Sequence, residues 1–423
     1  MPVLDVDLAC GATATGDDKD VRQTGSFEAQ GFDSLYLIGG RKKSVKAASV
    51  QTELKKPLYT PGHLDFPLLV AIVALCAFGL VMLFSSSYYY AYTYKGDGFY
   101  YLKSQAIYCG AGLAAMYILS RVNYRFIEKF RVVGLIIIIV LLVLVLALGQ
   151  EKNESQRWLK IPGTNIAFQP SEFAKFVLVL YMASFMSRHP KRMESLAHGI
   201  APMLIIMAVI AVLLLLQPNL SMTIIFVATG MVMLYVGGAP LKYLLIMALL
   251  AVPAVLLLAK AQPYQWARLM IFTDPWDTDK GDGYQLRQSL YALGSGGLFG
   301  QGLNFSRQKL LFLPYGESDF IFSIIGEELG FIGCTFVVAM YAFITYRGLR
   351  IAIKCKDRFG SLLAAGITSV VALQAAINIG VATSSIPPTG QTLPLVSHGG
   401  TSLLIFLSAF GILLNISRNL EPQ

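Results

Sequence analysis

The chain has 423 residues, of which 55% are hydrophobic and only 14% charged, with a formal net charge of +9. Soluble proteins carry roughly 25% charged residues, so this composition argues against a soluble enzyme and for an integral membrane protein. The basic residues sit in short clusters between apolar runs, a pattern that fits membrane topology rather than a nucleic-acid-binding patch.

Residues 1–64 are polar, with a basic run from Arg41 to Lys56 and no apolar segment near Met1. They read as a flexible cytoplasmic tail abutting the inner leaflet, with no cleavable signal. Ten apolar runs then follow, each long enough to cross a bilayer as a helix. They cover roughly 65–88, 102–120, 132–149, 170–187, 198–216, 219–237, 242–260, 317–345, 360–384 and 400–417. The fifth and sixth meet at a tight break, Gln217-Pro218-Asn219. The expected fold is an all-α integral membrane protein of ten transmembrane helices. Its membrane domain spans 65–418, a large extracytoplasmic loop (261–316) joins the seventh and eighth helices, and a short tail, 419–423, closes the chain.

The loops orient the bundle. Arg121–Arg131 holds four Lys/Arg, Ser187–Arg192 three and Arg347–Arg358 five, all on one side if ten crossings are right. The excess of positive charge makes that side cytoplasmic, together with both termini. Tyr89–Tyr101, Gln150–Gln169, Ala261–Gly316 and Ser385–Gly399 then face outward.

The five cysteines (Cys10, Cys76, Cys109, Cys334 and Cys355) show no CxxC or Cys/His spacing, which argues against a disulfide framework or zinc site. Chemistry concentrates instead in the large loop, which carries Asp274, Asp277, Asp279 and Asp282 beside Arg268, Lys280, Arg287, Arg307 and Lys309. A loop carboxylate sheltered from water can accept a proton, whereas a solvated one only keeps the loop soluble. Arg268 and Lys309, with Arg157 and Lys160 of the earlier outer loop, place cations where topology disfavours them. They suit either loop solubility or an anionic, lipid-linked group such as a pyrophosphate.

Tyr284–Leu293 is amphipathic enough for a short surface helix, and the glycines after it form no phosphate-loop signature. Pro170 and Ser171 suit a helix start, but Glu172 and Lys175, one turn apart inside a span, must pair or face a cavity. Asp319, Glu327 and Glu328 at the start of the eighth span carry the same requirement. Pro387–Gly400 is too proline- and glycine-rich for a regular helix, and its His398 lacks the neighbours of a metal site.

Taken together, these motifs resemble the SEDS (shape, elongation, division and sporulation) family of peptidoglycan glycosyltransferases, the FtsW/RodA/SpoVE group. The resemblance rests on Arg157-Trp158, Gln169-Pro-Ser-Glu172 with Lys175, Gly281-Asp-Gly-Tyr-Gln285, and Ser289 through Gly297. It continues through Gly300-Gln-Gly302, Lys309, Leu313-Pro314, Asp319 through Gly330, Asn378, Thr389-Gly390, Leu393-Pro394 and Ser397 through Ser402. It implies a ten-helix bundle that polymerises lipid II into glycan strands at the outer face of the bacterial cytoplasmic membrane, beside a class B penicillin-binding protein transpeptidase. A lipid II flippase is the alternative.

The resemblance further implies that a loop aspartate, Asp277 or Asp279, acts as general base. Arg268, Lys309, Arg157, Trp158, Glu172, Lys175, Gln285, Asp319, Glu327 and Ser397 would contact the substrate. It implies no certain cofactor and leaves a divalent cation open. The family's usual aspartate slot is Thr278 here, flanked by the two candidates, and Pro218-Asn219-Leu220-Ser221 stands where the family has Pro-Asp-Leu-Gly. Pro275-Trp276 and Tyr284-Gln285 lean toward the division or sporulation branch.

Overall fold

The computed structural model describes residues 64–152, 155–160, 167–261, 263–274, 276 and 281–420. Asp277 and Asp279 lie outside these, as do residues 1–63 and 421–423 of the expected tails. In chain order the helices are α1 (Phe66–Lys95), α2 (Tyr100–Arg121), α3 (Tyr124–Glu128), α4 (Arg131–Leu148), α5 (Pro170–Arg188), α6 (Ala201–Leu216) and α7 (Leu220–Val236). They continue with α8 (Leu241–Ala261), α9 (Pro263–Thr273), α10 (Asp282–Gly296), α11 (Ile321–Lys354), α12 (Arg358–Ala382) and α13 (Gly400–Arg418). Each of the ten apolar runs contains a helix. Among the described residues, six helices are long and apolar enough to cross a membrane: α1, α4, α6 with the turn before it, α11, α12 and α13.

Local chemistry sets the boundaries. Asp65 accepts the Leu68 N–H at 3.0 Å and Pro67 occupies the first turn of α1, while Gly96, in the left-handed region (φ 71°), ends it. Asn219 caps α7 by accepting from the Met222 N–H. Asp357 caps α12 through the Gly360 N–H at 3.1 Å. At 30 and 34 residues, α1 and α11 run well past their expected spans. At 1.5 Å per residue α1 is about 45 Å long, more than a roughly 30 Å hydrocarbon layer, whereas α11 is two helices joined across a break at Gly330.

Three elements depart from expectation. Part of the 150–169 segment forms short antiparallel strands, β1 (Gln150–Lys152), β2 (Ser155–Lys160) and β3 (Ala167–Phe168), with Gln150 opposite Trp158 and Leu159 opposite Phe168. The large loop holds a helix the sequence reading left out, α9, and α10 is longer than the expected 284–293. Residues 317–320, placed in the eighth span, precede α11 and are not helical.

Side-chain bridges sort the helix ends into two groups. At one end, Arg347 of α11 pairs with Asp65 before α1 at 2.7 Å, and the Asp65 N–H reaches Ser417 of α13. There too Arg188 pairs with Glu128 at 2.9 Å, Tyr124 donates to Asp357, and Arg358 donates to the Gly237 carbonyl. This is the end that collects the basic loops. At the opposite end Ser85 meets Glu328, Gln105 meets Ser397, and Arg157 meets the α6–α7 break. In the turn between α1 and α2, Asp97 accepts from Lys103 and from the Phe99 N–H, which hold its carboxyl below the usual carboxylate range.

Burial ranks the helices. Of the apolar windows, that of α13 is 72% buried and that of α12 67%, whereas that of α4 is 22% buried and exposes Val133, Ile136, Ile137 and Val140. Helices α2 and α13 approach closely through glycines. A Cβ on Gly411 would lie 2.6 Å from the Met116 carbonyl oxygen, and one on Gly112 would lie 2.5 Å from Leu407 Cδ1. Small residues at such crossings let two backbones pack at short range inside a membrane.

Candidate active site

Two buried ion pairs mark the loop-bearing end. The first sits in the opening turn of α5. Lys175, fully buried, donates to Glu172 at 2.7 Å and to Gln374 of α12, and its ammonium lies 4.8 Å from the Phe406 ring centroid of α13. Ser402 of α13 donates to the same Glu172 carboxylate at 3.1 Å, and Gln374 donates onward to the Thr392 carbonyl at 3.0 Å. Of the two expectations for Glu172 and Lys175, pairing or facing a cavity, the structure shows pairing, within a network joining α5, α12, α13 and the 383–399 connection.

The second pair clamps the large loop. Glu328, fully buried, accepts from Lys309 at 2.8 Å and from Ser85 of α1 at 2.7 Å, while Lys309 also donates to Asn304 at 2.6 Å. Glu327 beside it accepts from Ser306 and from the backbone N–H groups of Arg307 and Gln308. Helix α11 breaks just beyond, at Gly330 (φ 67°, ψ −162°). The carbonyls of Glu327 and Glu328 there accept from the N–H groups of Gln301 and Gly302. Lys309 is thus placed as a buried strut of the loop, held by Glu328, rather than on an open surface.

Only glycine fits that break. A Cβ on Gly330 would lie 2.3 Å from the Gly300 nitrogen and 2.6 Å from the Leu298 oxygen. The conformation alone costs a substituted residue about 1–3 kcal/mol. Gly330→Ala is therefore expected to lower the thermal midpoint of the purified protein in detergent. An unchanged midpoint would show that the clamp is not tight.

Three further predicted residues, Arg268, Asp319 and Ser397, lie around the segment after α12. Gly390 (φ 64°) marks a convergence: a Cβ there would stand 3.4 Å from Asp319 Oδ2 and 4.0 Å from Arg268 Nη1. Asn378 of α12 fixes this region by donating to the carbonyls of Asp319 and Gln391, at 2.8 and 2.6 Å. Ser397 donates to the Ser318 carbonyl at 2.5 Å and accepts from the Leu393 N–H, while its own carbonyl accepts from Gln105 at 3.0 Å. Arg268, Asp319 and Ser397 are thus brought together.

Arg157 and Trp158 are not part of that group. Arg157 donates to the carbonyls of Gln217 and Pro218, filling the break between α6 and α7, and Trp158 is half-buried on β2. Gln285 lies half-buried in the first turn of α10. Among the described residues no cluster of three or more His, Cys, Asp or Glu side chains is arranged to hold a metal.

The family profile described as cell cycle protein, FtsW/RodA/SpoVE, matches residues 66–421. The chain belongs to that family. It is 37% identical over 359 residues to the probable peptidoglycan glycosyltransferase FtsW of Geobacter metallireducens, covering 84% of this chain and 95% of that one. It is 39% identical over 356 residues to the stage V sporulation protein E of Bacillus subtilis, covering 84% and 97%. Among solved structures, a chain of a peptidoglycan synthase complex superposes with a TM-score of 0.69 at 27% identity, over 84% of this chain and 98% of that one. The rod shape determining protein RodA of Thermus thermophilus gives 0.62 at 26% identity, over 85% and 98%. The fold is accordingly that of a multi-pass, all-α membrane protein of this family.

Sequence reasoning missed Gln374, Ser402, Ser85 and Asn304, the partners that satisfy the two buried pairs. Gln374 and Asn378 carried a usable signal: two amides four residues apart on one face of an otherwise apolar span.

Proposed function

We propose that this chain is a peptidoglycan glycosyltransferase that polymerises lipid II at the outer face of the bacterial cytoplasmic membrane, in cell division or elongation. The observation that carries the reading is the convergence of Arg268, Asp319 and Gly390, from three separate segments, at the loop-bearing end of the bundle. On this reading the bundle spans the membrane ten times, both termini are cytoplasmic, and the loop-bearing end faces outward. The partner is a class B penicillin-binding protein.

In the reaction, a carboxylate of Asp277 or Asp279 takes the proton from the 4-hydroxyl of the acceptor N-acetylglucosamine. The freed oxygen attacks C1 of the donor N-acetylmuramic acid, the anomeric centre inverts, and undecaprenyl pyrophosphate leaves with the bonding pair. Arg268 supplies positive charge for that leaving group, since a guanidinium fork matches phosphate oxygens and matters most where charge develops. Lys309 acts one step removed, holding the loop against α11 through Glu328. The pair Glu172–Lys175 fixes α5 and α12 behind the 383–399 connection.

The test is to incubate the purified protein, with its transpeptidase partner, with lipid II and resolve the products by gel. Glycan polymer is expected. Translocation of lipid II across vesicles without polymer would replace this reading with a flippase.

A further inference from the structure

The outer part of α1 reads Ser-Ser-Ser-Tyr88-Tyr89-Tyr90-Ala-Tyr92-Thr-Tyr94, and α2 opens with Tyr100-Tyr101. The mechanism above uses none of these rings. They divide into two rows. Tyr88 and Tyr92 pack with Phe84 and Phe99 on one face. Tyr94 and Tyr90, one turn apart, lie on another, with ring centroids 4.7 Å apart. Tyr90 is 6.1 Å from Tyr101, and Tyr101 meets the His398 ring edge-on at 4.8 Å.

This second row is a continuous aromatic track leading to the candidate site. The His398 N–H bonds the Glu317 carbonyl at 3.0 Å, two residues from Asp319. Glu317 also lies within electrostatic reach of both the Tyr90 and Tyr101 phenols. A segment that carries Glu317 and Asp319 at the end of the track is poorly suited to acyl chains and apt for hydroxyl-rich ligands. Tyr94 is 62% exposed and Tyr90 and Tyr101 are half-buried, so the rings are held yet present surface. Flat rings with adjacent hydrogen-bonding groups suit hexoses, whose axial C–H faces stack on aromatic faces while their hydroxyls reach polar partners. The ring spacings are comparable with the length of one sugar unit.

We propose that Tyr94, Tyr90, Tyr101 and His398 form a binding track for a β-1,4-linked amino-sugar strand, along which the growing glycan stays engaged between additions. This deepens the glycosyltransferase reading and rests on it for the identity of the strand.

The experiment uses the full-length protein with its partner, a soluble peptide-free octasaccharide of alternating N-acetylglucosamine and N-acetylmuramic acid, and saturation-transfer NMR. Tyr90→Ala plus Tyr94→Ala is expected to weaken octasaccharide binding about tenfold. It should shorten glycan strands by no more than the same factor, because length follows elongation rate over release rate. The Tyr90→Phe plus Tyr94→Phe variant should keep both affinity and length. Unchanged affinity and length in the alanine variant would overturn the proposal. So would loss of co-purification with the transpeptidase or of membrane insertion at unchanged affinity, since either assigns the rings to a protein or a lipid surface. Octasaccharide binding by a wild-type protein that forms no polymer would uphold the track and refute the polymerase.

Discussion

The complex carrying Asp277→Ala plus Asp279→Ala is expected to polymerise lipid II about 10²–10⁴-fold more slowly than wild type, the contribution of a positioned general base. The acceptor hydroxyl is a poor nucleophile while it keeps its proton, and no other acids of the large loop flank the family's aspartate slot so closely. The single variants separate the pair: the base gives nearly the full loss, and its neighbour a small one. Full polymerisation by a folded double variant would sink the assignment.

Glu328→Ala should be the most damaging single change to stability, at about 3–5 kcal/mol, because it strands the Lys309 ammonium in a buried site. It also leaves Ser85 without its carboxylate partner and frees the loop from α11. Glu328→Ala with Lys309→Met removes both charges and should recover part of that loss, as expected when two residues act as a unit. Thermal unfolding in detergent, run on both singles and the double, measures the coupling. Strict additivity would mean that the 2.8 Å contact contributes nothing.

The helical frame was legible because apolar runs long enough for a bilayer have few alternatives to a helix. What escaped were features set by contact. The 150–168 strands come from a polar stretch with no alternating pattern, and the α11 break shows in sequence as one glycine among several. In the site, the spacing of Glu172 and Lys175 allowed either a pair or a cavity, and the structure shows the pair. The pairing of Glu328 with Lys309 did not follow from spacing, since 19 residues of glycine-rich loop separate them. Lys309 therefore read as a ligand for phosphate when its charge is taken up internally. The meeting of Arg268 with Asp319 beside Gly390 depends on three distant segments and on the positive φ of Gly390, neither of which a single sequence displays.

The tight glycine-mediated crossing of α2 with α13 joins nearly the first membrane segment to the last, with about 295 residues between Ser120 and Asn415. During synthesis α2 must enter the bilayer long before its mate is made, so its notched flank is packed against lipid until the ribosome finishes. Docking of α13 against α2 is consequently a late event of biogenesis, and chains truncated before residue 400 would lack that contact.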